Sequence, residues 1–439
     1  MWQNPFFNHS FVYDPHCSVY LKFAPQNSHS FGDFPLSLNS FNVKDFCGAI
    51  SLFKNSNSNN LTIDFSNVEK AYPNGMLPII ATVQKLRESG IDVKIQLPQD
   101  DHTRRLFRSV NWAYYLNPHQ FDKSESTHDR HLVTTNFKNA IEQKKAVDDL
   151  MEVVLRNMEL PRDIISGLEW SVNELTDNVL NHSQSIVGGF IQATTFPKEG
   201  TIAFAVADAG RGILNSLREG FPTLRTDIEA MGEAVKAGVT RNPKAGQGNG
   251  LAGSLRVTTM TGGSFELTSG LGKILTTEKE TQRQNRASLQ NYEGTLVCGQ
   301  LNNKQDFSVS KALVFLNGKE YKPVDMIEIR FEMEDRDCLL LKMREETTGF
   351  GTRHSGSQIR TKLMNLMNAQ PTYPLIIDWE GIPVISSSFA DEAIGKLFLR
   401  LGAMAFSMKV RNINMEPLII GLLDKAVAQR LTQEIDDVL

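Results

Sequence analysis

The chain of 439 residues has few cysteines, no long apolar run and little net charge. The cysteines lie far apart without a Cys-x-x-Cys pair, so they offer neither a zinc-ligand spacing nor a disulfide framework. They are Cys17, Cys47, Cys298 and Cys338. No apolar run approaches the roughly 20 residues of a membrane-spanning helix, and residues 1–7 lack the basic and apolar segments of a signal peptide. We therefore expect a protein of the reducing cytoplasm that does not contact a membrane.

Two common motifs are also missing. The sequence contains no Gly-x-x-x-x-Gly-Lys-Ser/Thr and no His-Glu-x-x-His, which excludes a P-loop nucleotide site and a zincin-type zinc site. With 46 basic and 50 acidic residues the net charge is −4, and this balance does not indicate nucleic-acid binding. A hydrophobic fraction of 41% is enough for ordinary folded cores, and the length predicts several domains.

The first of three polar motifs lies in a predicted helix over 161–182. Glu174, Asn178 and His182 are spaced by four residues, so they share one face of this helix. An Asn oxygen suits Mg²⁺, and a carboxylate one turn away can accept a proton from an attacking group. The alternative is a polar helix face in solvent. The helix prediction rests on apolar residues at three- and four-residue steps, namely Ile164, Ile165, Leu168, Val172, Leu175 and Val179.

The second motif follows an apolar run of strand length over 200–208. The run ends in Asp208, and Gly210 and Gly212 come directly after it. An aspartate at the end of a strand can accept a hydrogen bond from an adenine amino group. Glycines at this position let the backbone approach a flat base or a sugar.

The third motif is a glycine-rich loop that contains Gly246, Gly248, Gly250 and Leu251 and opens another helical run. A loop at a helix start presents N–H groups and the positive end of the helix dipole to phosphates. A plain connecting loop is the alternative. Further on, Thr295 lies in a predicted late strand, from which its hydroxyl could reach the base.

In this order, the motifs resemble those of the GHKL ATPase fold. Its members include gyrase B, the MutL proteins, the heat-shock chaperone ATPases, sensor histidine kinases and anti-sigma-factor serine kinases. The resemblance covers about 130–302 and implies a Bergerat-type α/β sandwich that binds ATP and Mg²⁺. It implies that Asn178 ligates the metal, Asp208 contacts adenine, the glycine-rich loop closes a lid over the phosphates, and Glu174 acts as the base. The presence of Glu174 makes the pattern more similar to the hydrolases and serine kinases than to most histidine kinases.

The same resemblance implies that 213–245 forms the ATP lid, with a helix near Asp227. Arg241 or Lys244 could reach the γ-phosphate from there. The alternative is that both are solvated charges of the lid.

Two flanking regions share an order of apolar strand, Asp, turn and helix, over 60–97 and 373–400. This order is similar to STAS domains, the fold of anti-sigma-factor antagonists. The run Ser-Ser-Ser-Phe-Ala-Asp-Glu over 386–392 resembles a bacterial STAS-like family often found with GHKL ATPases. We therefore predict an α/β multi-domain chain with a central GHKL sandwich between two STAS-like domains. Its parts are an extension (1–35), a STAS-like domain (36–128), the ATPase domain (129–305), a connector (306–336) and a C-terminal STAS-like domain (337–439).

The connector is predicted to contain a hairpin at Asn317-Gly318 and a further strand over 326–333, which together would form a small sheet. The polar stretch 276–291 has no apolar period and is expected to be an exposed hairpin or a mobile insertion.

The resemblance leaves three hypotheses of function. The first is an ATP-hydrolysing switch whose lid closure is relayed through the STAS-like domains to a protein partner, in a bacterial stress or phage-defence system. The second is a protein serine kinase acting on a STAS-domain serine, with Ser386, Ser387 and Ser388 as candidate acceptors. These serines are equally suited to capping the helix that follows. The third is a nucleotide-binding scaffold without turnover. Because GHKL hydrolases often dimerise on ATP, a homodimer is also expected.

Overall fold

The computed structural model describes 12–14, 18–22, 37–38, 43–56, 58–124, 130–236, 249–314, 318–346 and 349–436. These residues form three successive α/β units, built on sheets of four, seven and four strands, together with one two-stranded pairing. The prediction of a mixed α/β chain with several units is confirmed. Within the described ranges, no helix has the length and apolar character needed to cross a bilayer.

The N-terminal unit contains a sheet in the order β1-β2-β4-β6, in which β2, β4 and β6 are parallel. Leu61 and Ile63 are buried on one face of a central strand, and the longest helix of the unit begins at Pro73, where a missing N–H costs nothing. The strands are β1 (Val12–Asp14), β2 (Ser18–Lys22), β3 (Ser37–Leu38), β4 (Asn60–Asp64), β5 (Lys70–Ala71) and β6 (Asp92–Gln96). The helices are α1 (Val43–Lys54), α2 (Pro73–Glu88), α3 (Asp101–Ser109) and α4 (Trp112–Leu116).

The central unit is a seven-stranded antiparallel sheet in the order β12-β11-β10-β13-β9-β8-β7. Its strands are β7 (His131–Phe137), β8 (Gly189–Phe196), β9 (Thr201–Asp208), β10 (Ser264–Gly270), β11 (Gly272–Thr277), β12 (Thr281–Asn285) and β13 (Tyr292–Asn302). Its helices are α5 (Ala140–Asn157), α6 (Arg162–Asn178), α7 (Gly212–Leu217), α8 (Asp227–Ala234) and α9 (Gly250–Met260). The helix predicted over 161–182 is therefore present, although its last turn, Val179–Ser183, is π-helical.

Helices cover both faces of the central sheet, as the side chains of β9 illustrate. Its larger side chains, such as Phe204 and Val206, pack in the cluster that contains α5, α6 and α9. Its small side chains, Ala205 and Ala207, pack in the cluster that contains α2 of the N-terminal unit. Alanines on that face let a helix approach the sheet closely. The stretch 276–291, predicted as an exposed hairpin or a mobile insertion, contains β12, which is exposed throughout and forms a hairpin with the preceding strand β11.

The C-terminal unit contains a sheet in the order β14-β15-β16-β17, of which the last three strands are parallel. The strands are β14 (Glu332–Met333), β15 (Cys338–Lys342), β16 (Leu375–Asp378) and β17 (Val410–Ile413). The helices, starting in the preceding connector, are α10 (Val309–Ala312), α11 (Met326–Arg330), α12 (Met343–Glu346), α13 (Arg353–Ala369), α14 (Ser387–Ala390), α15 (Lys396–Leu401), α16 (Ala403–Lys409) and α17 (Pro417–Asp436). A π-helical turn, Asp391–Gly395, joins α14 to α15.

The strand predicted over 326–333 is wrong for most of its length. Asp325 caps a helix here, because its carboxylate accepts a hydrogen bond from the Glu328 N–H at 3.0 Å. The two-residue strand β14 that follows pairs with β15, so it belongs to the C-terminal sheet. Of the predicted hairpin, the described residues show a single bridge between Val314 and Glu320, while Asn317 lies outside the described residues.

Candidate functional site

The first motif occupies the last turns of α6. The opposite side of this helix is buried in the central core, which fixes the helix against the sheet. Glu174 and Asn178 lie on the remaining face and are half-buried. Burial raises the pKa of the Glu174 carboxyl, and the nearby carboxylate of Asp177 raises it further. A carboxylate with a raised pKa is a better proton acceptor near neutral pH.

The start of α9 lies directly against this pair. A Cβ atom at Gly250 would come within 2.6 Å of Glu174 Oε2 and within 3.3 Å of Asn178 Nδ2. One turn later, a Cβ at Gly253 would collide with the ring of Trp170. Glycines at both positions therefore let α6 and α9 pack closely enough for the two motifs to meet. Leu251 is half-buried and packs against the central core.

The other predicted residues of the glycine-rich loop, Gly246 and Gly248, lie outside the described residues, as do Arg241 and Lys244 of the predicted lid. The helix predicted within the lid is present as α8. Thr226 and Glu229 form a capping box at its start, since each side chain accepts a hydrogen bond from the other residue's N–H.

Asp208 is buried at the end of β9, with only 3% of its surface exposed. Its carboxylate accepts hydrogen bonds from the N–H of Gly210 at 2.7 Å and from the N–H of Thr295. Burial raises the pKa of Asp208 to about 7, although these two donors and the charge of Lys85 act in the opposite direction. A buried carboxylate is a suitable acceptor for an amino group of a ligand.

The loop after Asp208 is held on two sides. A Cβ at Gly210 would collide with the carbonyl of Ser183, which instead accepts a hydrogen bond from the Arg211 N–H at 2.9 Å. On the other side Gly212 has a φ of +75°, a conformation that favours glycine. The next N–H, of Ile213, donates to the hydroxyl of Ser269 at 2.9 Å. The loop is thereby fixed between the π-helical turn and β10.

The structure thus assembles the predicted residues in two groups. Glu174, Asn178 and Gly250 form one group, and the surroundings of Asp208 form the other. The π-helical turn connects them, because it follows Asn178 directly and its Ser183 contacts the loop after Asp208. His182 lies on the same turn, and its carbonyl accepts a hydrogen bond from Arg211 Nε at 3.0 Å.

Sequence reasoning missed several residues that hold the site together. The Tyr292 hydroxyl donates to the main-chain carbonyl of Asp208, and the Ser269 hydroxyl donates to the Gly294 carbonyl at 2.9 Å. Gln143 on α5 donates to Asp177 at 2.9 Å, beside the first motif. The sequence carries no signal for these partners beyond the position of Tyr292 three residues before Thr295.

The donor set at the first group fits Mg²⁺ only in the presence of a ligand with oxygen atoms. The described ranges contain no cluster of three or more His, Cys, Asp and Glu side chains that could hold a metal alone. Asn178 and the space beside Gly250 offer one amide oxygen and a helix start. Phosphate oxygens would supply the remaining ligands that Mg²⁺ takes.

The serine run of the C-terminal unit forms a helix start. The Ser386 hydroxyl accepts a hydrogen bond from the Phe389 N–H at 3.0 Å and lies 3.0 Å from the hydroxyl of Ser388. Ser387 is exposed between them. The capping role that the sequence allowed is therefore observed for Ser386. The following turn is tied to α17, since Arg430 donates to both carboxylate oxygens of Asp391 at 2.8 and 2.7 Å.

Comparison with known proteins identifies one segment. Residues 355–417 match a family described as a STAS-like domain of unknown function (DUF4325). The matched segment begins in α13 and contains the serine run, so the STAS-like prediction for the C-terminal unit is confirmed there. No curated protein matches the chain.

Proposed function

We propose that the central unit binds ATP with Mg²⁺ in the manner of the GHKL ATPases and acts as a nucleotide-driven switch. The observation that carries this proposal is the contact of Gly250 with Glu174 and Asn178. It brings together the start of a helix, which can bind phosphate, an amide, which can ligate a metal ion, and a half-buried carboxylate, which can accept a proton from an attacking water. Asp208, buried at the other end of the π-helical turn, supplies the acceptor for the adenine amino group.

In this proposal each residue has one task. Asn178, together with phosphate oxygens of the nucleotide, would hold Mg²⁺, and the metal would neutralise phosphate charge. Glu174 accepts a proton from a water whose oxygen attacks the γ-phosphorus, while the bond from that phosphorus to the bridging oxygen breaks and ADP leaves. The N–H groups at the start of α9 face the phosphates. The lid region and the STAS-like unit pass the bound state to a partner protein.

Two substitutions separate binding from chemistry. Asp208→Asn is expected to abolish ATP binding, because the buried acceptor becomes an amide with a donor in its place. Glu174→Ala is expected to retain ATP binding and to lose turnover. Normal hydrolysis by the Glu174→Ala protein would show that the base is assigned wrongly.

A serine kinase is the second candidate, and the exposure of Ser387 at the start of α14 favours it. The C-terminal unit contacts α6 near Arg162, whose Nη1 donates to the Ala369 carbonyl at 3.4 Å. Glu174 lies twelve residues further along, about 18 Å away at 1.5 Å per residue. The serine run lies by the other end of α13, where Gly356 packs against Phe389, so the phosphoacceptor of this candidate is either Ser387 of the same chain or a serine on a second molecule.

One incubation distinguishes these functions. Purified protein is incubated with γ-labelled ATP and Mg²⁺, and both free phosphate and label on the protein are followed. Free phosphate with unlabelled protein supports the hydrolytic switch, whereas label on Ser387 that is absent from a Ser387→Ala protein supports the kinase. Nucleotide binding without either product supports a scaffold.

The same proposal includes dimerisation on ATP. Light scattering with and without a non-hydrolysable ATP analogue is expected to show a doubled mass with the analogue. A monomer under both conditions would contradict this part of the proposal and leave the nucleotide site unaffected.

A further inference from the structure

The start of β13 holds Asp208 at three points. The Tyr292 hydroxyl donates to the main-chain carbonyl of Asp208, and the Thr295 N–H donates to its carboxylate. Between them, Gly294 has a φ of +152° and lies so close that a Cβ would collide with the Asp208 carbonyl. The direction of the Asp208 carboxylate therefore depends on where this four-residue segment lies.

Tyr292 is in turn held by the N-terminal unit. Its side chain is 1% exposed and belongs to the apolar cluster that contains the buried faces of α1 and α2. A small cleft of about 80 Å³ at this contact is lined by Cys47 and Ile50 of α1, Leu86 of α2, and Tyr292. The ring is thus enclosed by two helices that belong to a different unit from Asp208.

Ion pairs add a second link between the same elements. Lys54 at the end of α1 lies 2.6 Å from Glu293 Oε1, and Lys85 of α2 lies 3.2 Å from Glu293 Oε2. Glu293 stands between Tyr292 and Gly294 in the chain. Both helices of the N-terminal unit therefore contact the segment that holds Asp208.

We propose that Tyr292 is a positioning residue for the adenine acceptor Asp208, and that the N-terminal unit, through Tyr292 and Glu293, determines how well the site selects adenine. This inference rests on the proposed function. Without the Tyr292 hydroxyl, the Asp208 carbonyl loses a buried donor and the β9 end is free to shift against β13. A base with a 6-oxo group in place of the 6-amino group has no donor at position 6 for the Asp208 carboxylate, so we expect its binding not to depend on that hydrogen bond.

The test compares ADP with IDP, which carries the same phosphates but lacks the 6-amino group. Both are titrated with Mg²⁺ into the wild-type protein and into Tyr292→Phe by calorimetry. We expect the substitution to weaken ADP binding by about tenfold, the size of one hydrogen bond, and to leave IDP binding unchanged. A general loss of structure would weaken the binding of both nucleotides alike.

Tyr115→Phe is the matched control. Tyr115 is also buried at the contact between the N-terminal unit and the sheet, and its hydroxyl accepts a hydrogen bond from the Asn136 N–H at 3.2 Å. That partner lies in β7, two strands from Asp208. The ratio of ADP to IDP affinity is expected to stay at the wild-type value in this control.

Glu293→Ala provides a second test that does not touch the core, since the Glu293 side chain is 45% exposed. It removes the carboxylate that pairs with Lys54 and Lys85. We expect the ratio of ADP affinity to IDP affinity to fall about twofold to threefold, which is the effect expected from losing an exposed ion pair. A wild-type protein that prefers ADP, with the same preference in Tyr292→Phe and Glu293→Ala, would overturn the inference. A wild-type protein that binds neither nucleotide would overturn the proposed function itself.

Discussion

The two flanking units contact the central unit in different ways. The N-terminal contact is largely apolar, with α2 lying over the small residues Ala205 and Ala207 of β9. The C-terminal contact contains buried charge and amide groups. Lys362 is fully buried, with its ammonium bonded to Glu346 and to both oxygens of Glu152 at 2.9 and 2.8 Å.

An asparagine completes the C-terminal contact. The Asn365 amide donates to the carbonyls of Leu155 and Met158 at 2.9 and 2.8 Å and accepts from the Leu160 N–H at 2.9 Å. It thereby satisfies main-chain groups where α5 ends and the chain turns into α6. Buried main-chain groups need hydrogen-bond partners. These three bonds therefore fix the position of α13 relative to the turn between α5 and α6.

The difference concerns function as well as packing. The N-terminal contact reaches the residues around Asp208, whereas the C-terminal contact lies at the far end of α6 from Glu174. Two regions with a similar strand, turn and helix order thus relate differently to the candidate site. The free energy of an apolar contact depends on the area that it buries, whereas that of a buried ion pair depends on the geometry of its hydrogen bonds. We therefore expect substitutions in the C-terminal contact to change stability, and substitutions in the N-terminal contact to change nucleotide selection.

The largest effect is expected from Lys362→Met, which keeps the side-chain volume and removes the charge. Glu346, 2% exposed, would lose its ammonium partner. Removing one partner of a buried pair costs about 3–5 kcal/mol, measured here as the free energy of unfolding in urea. ADP affinity is expected to stay unchanged. The control is Lys145→Met, which breaks an exposed pair with Asp149 on α5 and is expected to cost less than about 1 kcal/mol. Similar losses in both proteins would contradict the account.

A smaller effect concerns pH and the N-terminal side of the site. Because the pKa of Asp208 is raised from 3.8 to about 7, the folded protein holds a proton on this carboxyl between these values and the unfolded protein does not. The stability contribution is therefore most favourable at low pH and is lost as pH rises toward 7. The gain in unfolding free energy of Asp208→Asn over wild type is expected to grow from pH 5 to pH 8, by on the order of 2–3 kcal/mol. A difference that is constant with pH would contradict this environment.

Next in size is the effect of Gly250→Ala on turnover. The added methyl group would collide with Glu174, because its carbon would lie 2.6 Å from Glu174 Oε2. We expect ATP hydrolysis to fall by about tenfold, which corresponds to roughly 1.4 kcal/mol in the barrier. The control is Gly232→Ala in α8, where a Cβ meets no atom within 4 Å. Equal turnover in both variants would show that the contact with Glu174 has no role in hydrolysis.

The smallest effect is expected in the serine run. Ser386→Ala removes the cap of α14 and is expected to lower the free energy of unfolding by about 1 kcal/mol. Ser387→Ala removes an exposed hydroxyl for which the structure shows no capping bond, so stability is expected to stay within about 0.5 kcal/mol of wild type. Thermal unfolding of the two proteins measures this difference. Equal losses would mean that the hydroxyl groups share the capping role.

Much of the local structure could be predicted from the sequence. The helix that carries Glu174 and Asn178 has the three- and four-residue apolar spacing of a helix with one buried face. The strand that ends at Asp208 is a short apolar run, as expected of a strand buried on both faces. The strand predicted over 326–333 failed for a related reason. Ile327 and Phe331 alternate as in a strand but also stand four residues apart, and the cap at Asp325 makes the helix the better solution.

Long-range contacts could not be predicted in this way. Lys362 and Glu152 are 210 residues apart in the chain, and Tyr292 and Asp208 are 84 apart. A lysine in an amphipathic helix would ordinarily be assigned to the surface. Its burial follows only from the position of α13 on α5, which no local pattern contains.

The most direct test of the central claim is a calorimetric titration of a non-hydrolysable ATP analogue with Mg²⁺ into wild-type protein and into Asp208→Asn. We expect saturable binding at one site per chain in the wild type, and affinity reduced at least about a hundredfold in the variant, which corresponds to roughly 2.7 kcal/mol. Unfolding measured alongside would show that the variant is folded. No binding by the wild-type protein, or equal binding by the folded variant, would contradict the assignment of this site.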